Sequence, residues 1–238
     1  MNYAVIFAGG VGKRLNNGVI PKQFLEINNK PIIIHTIEHF EKHNLIDVIV
    51  VACLKESISN LKALLEKHNI KKVKYIIAGG DTALQSQYNA LSEIEKNFNI
   101  TNEDIVLIHD GVRPLINEQT ITDCIEGVKK YKSAITVSPA IETIITTKNE
   151  TNVDKIISRS ECYLGRAPQG FYIKDIISLH RRALEDGLRD KPNLFIDSAS
   201  MMKYYGYSLH VFNGPAENIK VTTLIDYYTC KALMEKEK

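Results

Sequence analysis

The sequence predicts an α/β domain: a mostly parallel sheet wound with helices, from which an antiparallel β-arm protrudes. Three observations carry this. Short apolar runs alternate four times with helix-spaced amphipathic segments in the first half of the chain. The first run ends in a glycine-rich loop followed by cations, the arrangement by which open α/β sheets present anion sites. Later, two runs rich in Ile and Thr are separated by a turn too short for a crossover helix.

In order, 3–7 is an apolar run suited to a buried strand, and 31–42 carries apolar residues at 33, 34, 37 and 40, a helical period. The continuous apolar run 47–53 fits a central parallel strand. Ile58, Leu61, Leu64 and Leu65 mark a second helix, 73–78 a third strand, and Leu84, Tyr88, Leu91 and Ile94 a third helix. Strand 104–109 leads into Asp110, and Asn117 caps a helix bearing Ile121, Ile125 and Val128. After strand 134–139, segments 142–147 and 153–157 form the hairpin. A two-stranded arm is marginal alone, so it folds back on its own sheet or packs against a second copy. Packing against a second copy, giving a homodimer, is the expectation. Beyond it, 174–186 is helical, Asp197 caps a short helix to 205, and 207–212 and 219–222 read as strands. Thr223-x-x-Asp226 opens the last helix as a capping box. With no linker or repeat, 1–238 reads as one domain, with 139–162 as its arm.

The 238 residues are 44% hydrophobic and 24% charged, values of a globular chain with a substantial core. A net charge of +2 gives no basis for a broad nucleic-acid surface. No apolar stretch spans a bilayer and no leader precedes the first strand. Cys53, Cys124, Cys162 and Cys230 lack metal spacing; the first, second and fourth read as reduced core thiols of a cytoplasmic protein.

The chemistry begins at Gly9, Gly10 and Gly12, which let backbone N–H groups approach a bulky anion, with Lys13, Arg14 and Lys22 at hand to neutralise it. Leu15 stands where a dinucleotide fingerprint needs its third glycine, and Arg14 where an ATPase phosphate loop needs Ser or Thr. Both common loops are thereby disfavoured. Asp110, at a strand's carboxyl end, is either a turn cap or a carboxylate acting beside polyphosphate through magnesium. Arg113 is suited to gripping a second phosphate. His109 reads as a packed strand-end residue rather than a base. Gly79-Gly80-Asp81, with Ser86 in the helix behind, can approach a base or ribose closely, whereas Lys220 alone would be a solvated cation.

Taken together, Ala8-Gly-Gly-x-Gly-x-Arg14, Pro21-Lys-Gln23, Gly79-Gly80-Asp81, Asp110-x-x-Arg113-Pro114, Pro168-Gln169 and Asn218-Ile-Lys-Val-Thr222 resemble the small sugar-phosphate cytidylyltransferases. That family includes the 2-C-methyl-D-erythritol 4-phosphate and ribitol-5-phosphate enzymes. The resemblance spans the chain. It implies a Rossmann-like sheet of the nucleotide-diphospho-sugar transferase type and magnesium-dependent cytidylyl transfer from CTP to an alditol phosphate. CDP-alditol, a cell-surface polysaccharide or teichoic acid precursor in the ribitol case, and pyrophosphate would result.

By the same resemblance, Arg14 and Lys22 stabilise the transition state, and Phe7, Ala8, Gly9, Gly10, Gly12, Gly80, Asp81 and Ser86 bind CTP. Asp110, Arg113, Lys220 and Thr222 serve the acceptor and Asp110 the metal. Thr143 and Arg159 reach from the arm into a partner's site. Ala8-Gly9-Gly10 and His109-Asp-x-Val-Arg-Pro favour the ribitol-phosphate branch; Asp197-Ser-Ala-Ser200 is closer to the isoprenoid one. Ala167 and Ile196 replace usual threonines, changes that can reshape the acceptor pocket, and a basic residue is missing near Ala83. A nucleotide-binding module without turnover is the reading from another class, which the full set of Arg14, Lys22, Asp110, Arg113 and Lys220 opposes.

Overall fold

The structure, a computed structural model, describes residues 1–10, 20–191 and 193–236. Strands β1 (Asn2–Ala8), β4 (Val48–Cys53), β5 (Val73–Ala78), β6 (Ile105–Asp110), β7 (Ser133–Pro139), β10 (Tyr163–Tyr172) and β11 (Val211–Asn213) form a seven-stranded sheet. Their order is β11-β7-β10-β6-β1-β4-β5. All neighbours pair in parallel except β10, which runs antiparallel to both β6 and β7.

Alternation along each strand sends side chains to opposite faces. Tyr3, Val5, Val50 and Val106 face α3 (Ala83–Asn97), α5 (Ile173–Glu185) and α6 (Ser198–Tyr204). Ala4, Ile6, Val51 and Leu107 face α1 (Ile32–Lys42), α2 (Ile58–Lys67) and α4 (Glu118–Tyr131). Covering both faces is why these strands read as unbroken apolar runs. A third cluster, Ile27, Ile32, Val112, Val221 and Cys230, seats α7 (Leu224–Lys236). All four cysteines are free and buried.

The expected caps form. Asn117 accepts from Thr120 N–H, Asp197 from Ser200 N–H, and Thr223 and Asp226 exchange side-chain-to-backbone bonds.

Other expectations need correction. Segment 207–212 contributes only Val211 and Phe212 to a strand, the short β11 at the sheet edge. Segment 219–222 forms no strand; one bond, Val221 N–H to Val112 O at 2.9 Å, ties it to the loop after β6. A small hairpin, β2 (Glu26–Ile27) with β3 (Lys30–Pro31), turns at Asn28 and Asn29 with φ of 52° and 60°. Positive φ at both turn residues is what a tight two-residue hairpin needs, and asparagine tolerates it.

The arm is β8 (Ile144–Thr147) paired antiparallel with β9 (Val153–Ile157), a sheet separate from the main one. Ile141, Val153 and Ile156 are exposed by 78%, 60% and 69%. Such side chains are a reason for the arm to be covered by something other than its own chain.

Candidate active site

The strand order changes direction around β1. Strands β4 and β5 lie to one side of it and β6 to the other, so a crevice opens at the carboxyl ends of β1 and β6. Phe7 and Asp110 are register partners there. Gly111 N–H donates to Phe7 O at 3.0 Å, and a Cβ on Gly111 would come within 3.0 Å of Ala8 Cβ. The turn after β6 therefore lies directly against the end of β1.

Gly9 and Gly10 continue β1 into a pocket of about 220 Å³, also lined by Lys22, Gly80, Asp81, Ser86, Asp110 and Lys220. Lys22 is delivered by a single 3-10 turn, Lys22–Phe24. Gln23 in that turn is fully buried, and its amide donates to Ala8 O at 2.9 Å, pinning the turn to the strand end. Across the pocket, Ser86 Oγ accepts from Gly80 N–H at 3.0 Å and donates to Thr82 O at 2.9 Å. A Cβ on Gly80 would sit 2.4 Å from Gln85 Cβ, so only glycine fits that turn.

At the centre, Asp110 is buried with both oxygens engaged: Oδ1 lies 2.6 Å from Lys220 Nζ and Oδ2 accepts from Arg113 Nε at 2.7 Å. Burial pushes this carboxyl up, but Arg113 and Lys220 together hold it below the usual range. Arg113 is itself 7% exposed, and its Nη1 donates to Asn218 O at 2.8 Å. The expectation of an arginine open to a phosphate is thus modified, since two of its nitrogens already serve Asp110 and the 218–220 segment. His109 is fully buried beside Phe40, its Nε2 3.2 Å from Arg113 O, and burial takes it down to about 3. It is neutral and packed, as the sequence suggests.

A second cleft of about 530 Å³ shares Phe7, Ala83, Asp110 and Lys220 with the first, and extends past Arg113 to Arg166, Ala167, Gln169, Ile196 and Asp197. One pocket thus opens into another across the Lys220–Asp110 pair. Ala83, Ala167 and Ile196, the three family-variant positions, all line this cleft.

Phe7, Ala8, Gly9, Gly10, Lys22, Gly80, Asp81, Ser86, Asp110, Arg113 and Lys220 are accordingly brought together. Thr222 lies off both pockets and donates to Lys220 O at 3.2 Å. Thr143 and Arg159 sit on the exposed arm, away from either pocket of their own chain, with Arg159 Nη1 donating to Ile141 O at 3.3 Å. Gly12 and Arg14 lie outside the described residues.

Three polar residues have structural parts that the sequence reading leaves without a role: Gln23, Gln169 and Asn218. Gln169 Nε2 donates to Asp197 at 2.6 Å, and Asn218 Nδ2 to Ala167 O at 2.6 Å. All three stand in the quoted motifs, which is the signal that marks them. Among the described residues no group of three or more His, Cys, Asp or Glu could hold a metal ion, and no helix is long and apolar enough to cross a membrane.

The sequence model of a family described as 2-C-methyl-D-erythritol 4-phosphate cytidylyltransferase matches residues 2–236. A ribitol-5-phosphate cytidylyltransferase of Vibrio parahaemolyticus serotype O3:K6 is 47% identical over 238 residues, covering 100% of this chain and 98% of that one. One of Streptococcus agalactiae serotype Ia is 43% identical, covering 99% and 96%. Among solved structures, the 4-diphosphocytidyl-2C-methyl-D-erythritol synthase of Anaerococcus prevotii superposes with a TM-score of 0.82 at 24% identity, covering 98% and 96%. The 2-C-methyl-D-erythritol 4-phosphate cytidylyltransferase of Francisella tularensis gives 0.77 at 28%, covering 97% and 99%.

Proposed function

The chain belongs to the 2-C-methyl-D-erythritol 4-phosphate cytidylyltransferase family, and from that premise we propose that it transfers a cytidylyl group from CTP to D-ribitol 5-phosphate. The single observation carrying the geometric side is the pair of clefts that meet across Lys220 and Asp110. Two reactants that must meet at one phosphorus need two such abutting pockets. Ribitol is preferred as the acceptor because the relatives 43% and 47% identical over the whole chain are named for it.

In this reading Gly9 and Gly10 present backbone N–H groups to the nucleotide, Gly80, its own N–H held by Ser86, lets the base or ribose approach closely, and Asp81 completes the pocket. An oxygen of the acceptor phosphate attacks the α-phosphorus of CTP. The bond from that phosphorus to the oxygen bridging the β-phosphorus breaks, and pyrophosphate leaves. Lys22 and Arg14 stabilise the charge gathered on the phosphorus, since preorganised cations act most where charge develops. Lys220 orients the acceptor phosphate, and Asp110, fixed by Arg113, orients Lys220.

The donor set fits magnesium: this ion keeps several waters and takes one or two carboxylates plus substrate phosphates, and Asp110 has lone pairs beyond those engaged by its two cations. Held by Asp110 and the triphosphate, it would supply neutralising charge at the phosphates. Thr143 and Arg159 complete the acceptor site from a partner's arm in a cytoplasmic homodimer.

Pyrophosphate release with CTP and magnesium tests the proposal, with ribitol 5-phosphate, 2-C-methyl-D-erythritol 4-phosphate and shorter alditol phosphates as acceptors. Ribitol 5-phosphate is expected to give the highest kcat/KM. Preference for the methylerythritol compound would move the enzyme to the isoprenoid branch, and turnover with none would overturn the reading.

A further inference from the structure

In the proposed reaction the acceptor's phosphate meets Lys220, but its hydroxyl-bearing chain has no assigned partner. The larger cleft offers one. Strand β10 leaves its ladder with β7 between Gly165, opposite Val137, and Gln169, opposite Ile135. Residues 166–168 therefore face Thr136 alone, and such a bulge re-aims a side chain. This bulge is held by the protein: Thr136 Oγ1 donates to Pro168 O at 2.6 Å, and Asn218 Nδ2 to Ala167 O at 2.6 Å.

Arg166, the first residue of the bulge, lines the cleft on the side that the nucleotide pocket does not share. Its Nε donates to Ser138 Oγ at 3.0 Å, which orients the guanidinium. Among the described residues Arg166 enters no ion pair. The carboxylate on the same wall, Asp197, is engaged by Ser200 N–H and Gln169 instead. Burial and the like charge of Arg113 both work against the Arg166 cation. A half-buried arginine set beside another arginine, with no carboxylate paired to it among the described residues, is a donor fork suited to acceptors from a ligand. The neighbouring Ala167 and Ile196 carry no polar side-chain atom, so they cannot substitute for it.

We propose that Arg166 is a specificity-determining residue for the acceptor, its terminal N–H groups binding hydroxyl oxygens of the alditol chain remote from the phosphate. This rests on the alditol-phosphate reading above. Hydroxyls rather than the phosphate are assigned because the phosphate must lie at the Lys220–Asp110 junction to reach CTP.

The test compares wild type with Arg166→Leu and Arg166→Gln, using ribitol 5-phosphate and the shorter glycerol 3-phosphate. KM is measured, or an inhibition constant where a compound is not turned over. For ribitol 5-phosphate KM should rise about 10- to 100-fold, the size of a lost charged hydrogen bond. The constants for CTP and glycerol 3-phosphate should stay within about threefold, the scatter of variants that keep their contacts. Equal losses on the long and short acceptors would assign Arg166 to the phosphate or the fold, and an unchanged ribitol phosphate KM would assign it nothing; either overturns the inference alone. If both Arg166 variants fail to fold, Ser138→Ala, which removes the orienting bond, carries the same comparison. Wild type that uses no alditol phosphate overturns the underlying reading and the inference with it.

Discussion

Lys220 Nζ lies 2.6 Å from Asp110 Oδ1, joining the loop before α7 to the carboxyl end of β6 at the point where the two clefts meet. The two partners differ in burial: side-chain exposure is 42% for the lysine and 9% for the aspartate. They should therefore separate function from stability. Asp110→Ala leaves the buried Arg113 cation without its carboxylate and should cost about 3–5 kcal/mol of stability. Lys220→Met keeps the Arg113–Asp110 pair and should change stability little, while lowering turnover by about 10²- to 10³-fold. Urea denaturation beside pyrophosphate release checks both; equal destabilisation by the two changes would contradict the assignment.

Gly80 gives a second prediction from packing alone. A methyl group there meets Gln85 Cβ at 2.4 Å and Gln85 Oε1 at 2.9 Å, so the turn capping α3 must move. Gly80→Ala is expected to destabilise by about 1–3 kcal/mol, the usual range for overpacking. Because Gly80 N–H is held by Ser86 on the CTP side, the KM for CTP should rise more than that for the acceptor. The reverse pattern would show that this loop serves the acceptor.

Lys22 shows what the sequence could and could not reveal. Its place in Pro21-Lys22-Gln23 marks it as a candidate, but the reason it faces the pocket is Gln23, whose buried amide bonds to Ala8 O. Lys22→Ala and Arg14→Ala should each lower kcat by about 10²-fold or more, as lost transition-state stabilisers do, with unchanged melting temperatures. Gln23→Leu should destabilise the turn and lower kcat as well. A melting temperature that falls with Lys22→Ala would instead make the lysine structural.

Much of the parallel half of the sheet was legible because both faces of each strand are covered, which makes the apolar runs continuous. Strand β10 was not, since Gly165, Pro168 and Gly170 all argue against a central strand. Its bulge and the side-chain bonds to Pro168 O and Ala167 O make these residues compatible with the sheet. Segment 219–222 has strand composition, yet it packs on Val112 without a ladder. Asp110 was legible as a strand-end carboxylate, whereas Lys220 alone read as a solvated cation and was marked only by the family resemblance. Their pairing joins positions far apart in the chain, which local pattern does not encode.

His180 supplies a pH prediction. It is fully buried against Tyr88, both ring nitrogens lack a partner among the described residues, and burial takes it from the ordinary 6.5 down to about 3. Between those values the unfolded chain holds a proton that the folded chain does not, so stability rises with pH across that window and falls on acidification below 6.5. The full effect of one such group is about 1.4 kcal/mol per pH unit. His180→Leu should flatten the dependence of stability on pH between 4 and about 6.5. A variant with the wild-type slope would place the responsible proton elsewhere.

The arm bears the final prediction. Thr143 and Arg159 lie outside both pockets of their own chain, while Ile141, Val153 and Ile156 expose an apolar surface. If the arm completes a partner's site, the protein is a dimer at micromolar concentration, and Arg159→Glu raises the KM for the acceptor by about tenfold or more, as loss of a charged phosphate contact does. Mixing separates action in trans from a local effect. An Arg159→Glu chain keeps its own pocket, and a Lys22→Ala chain keeps its own arm. A heterodimer of the two then contains one site with an intact pocket and an intact arm. Activity should therefore reappear when the two weak variants are co-refolded or allowed to exchange subunits. A monomeric mass, or no recovery in a mixture shown to contain heterodimers, would falsify the shared site.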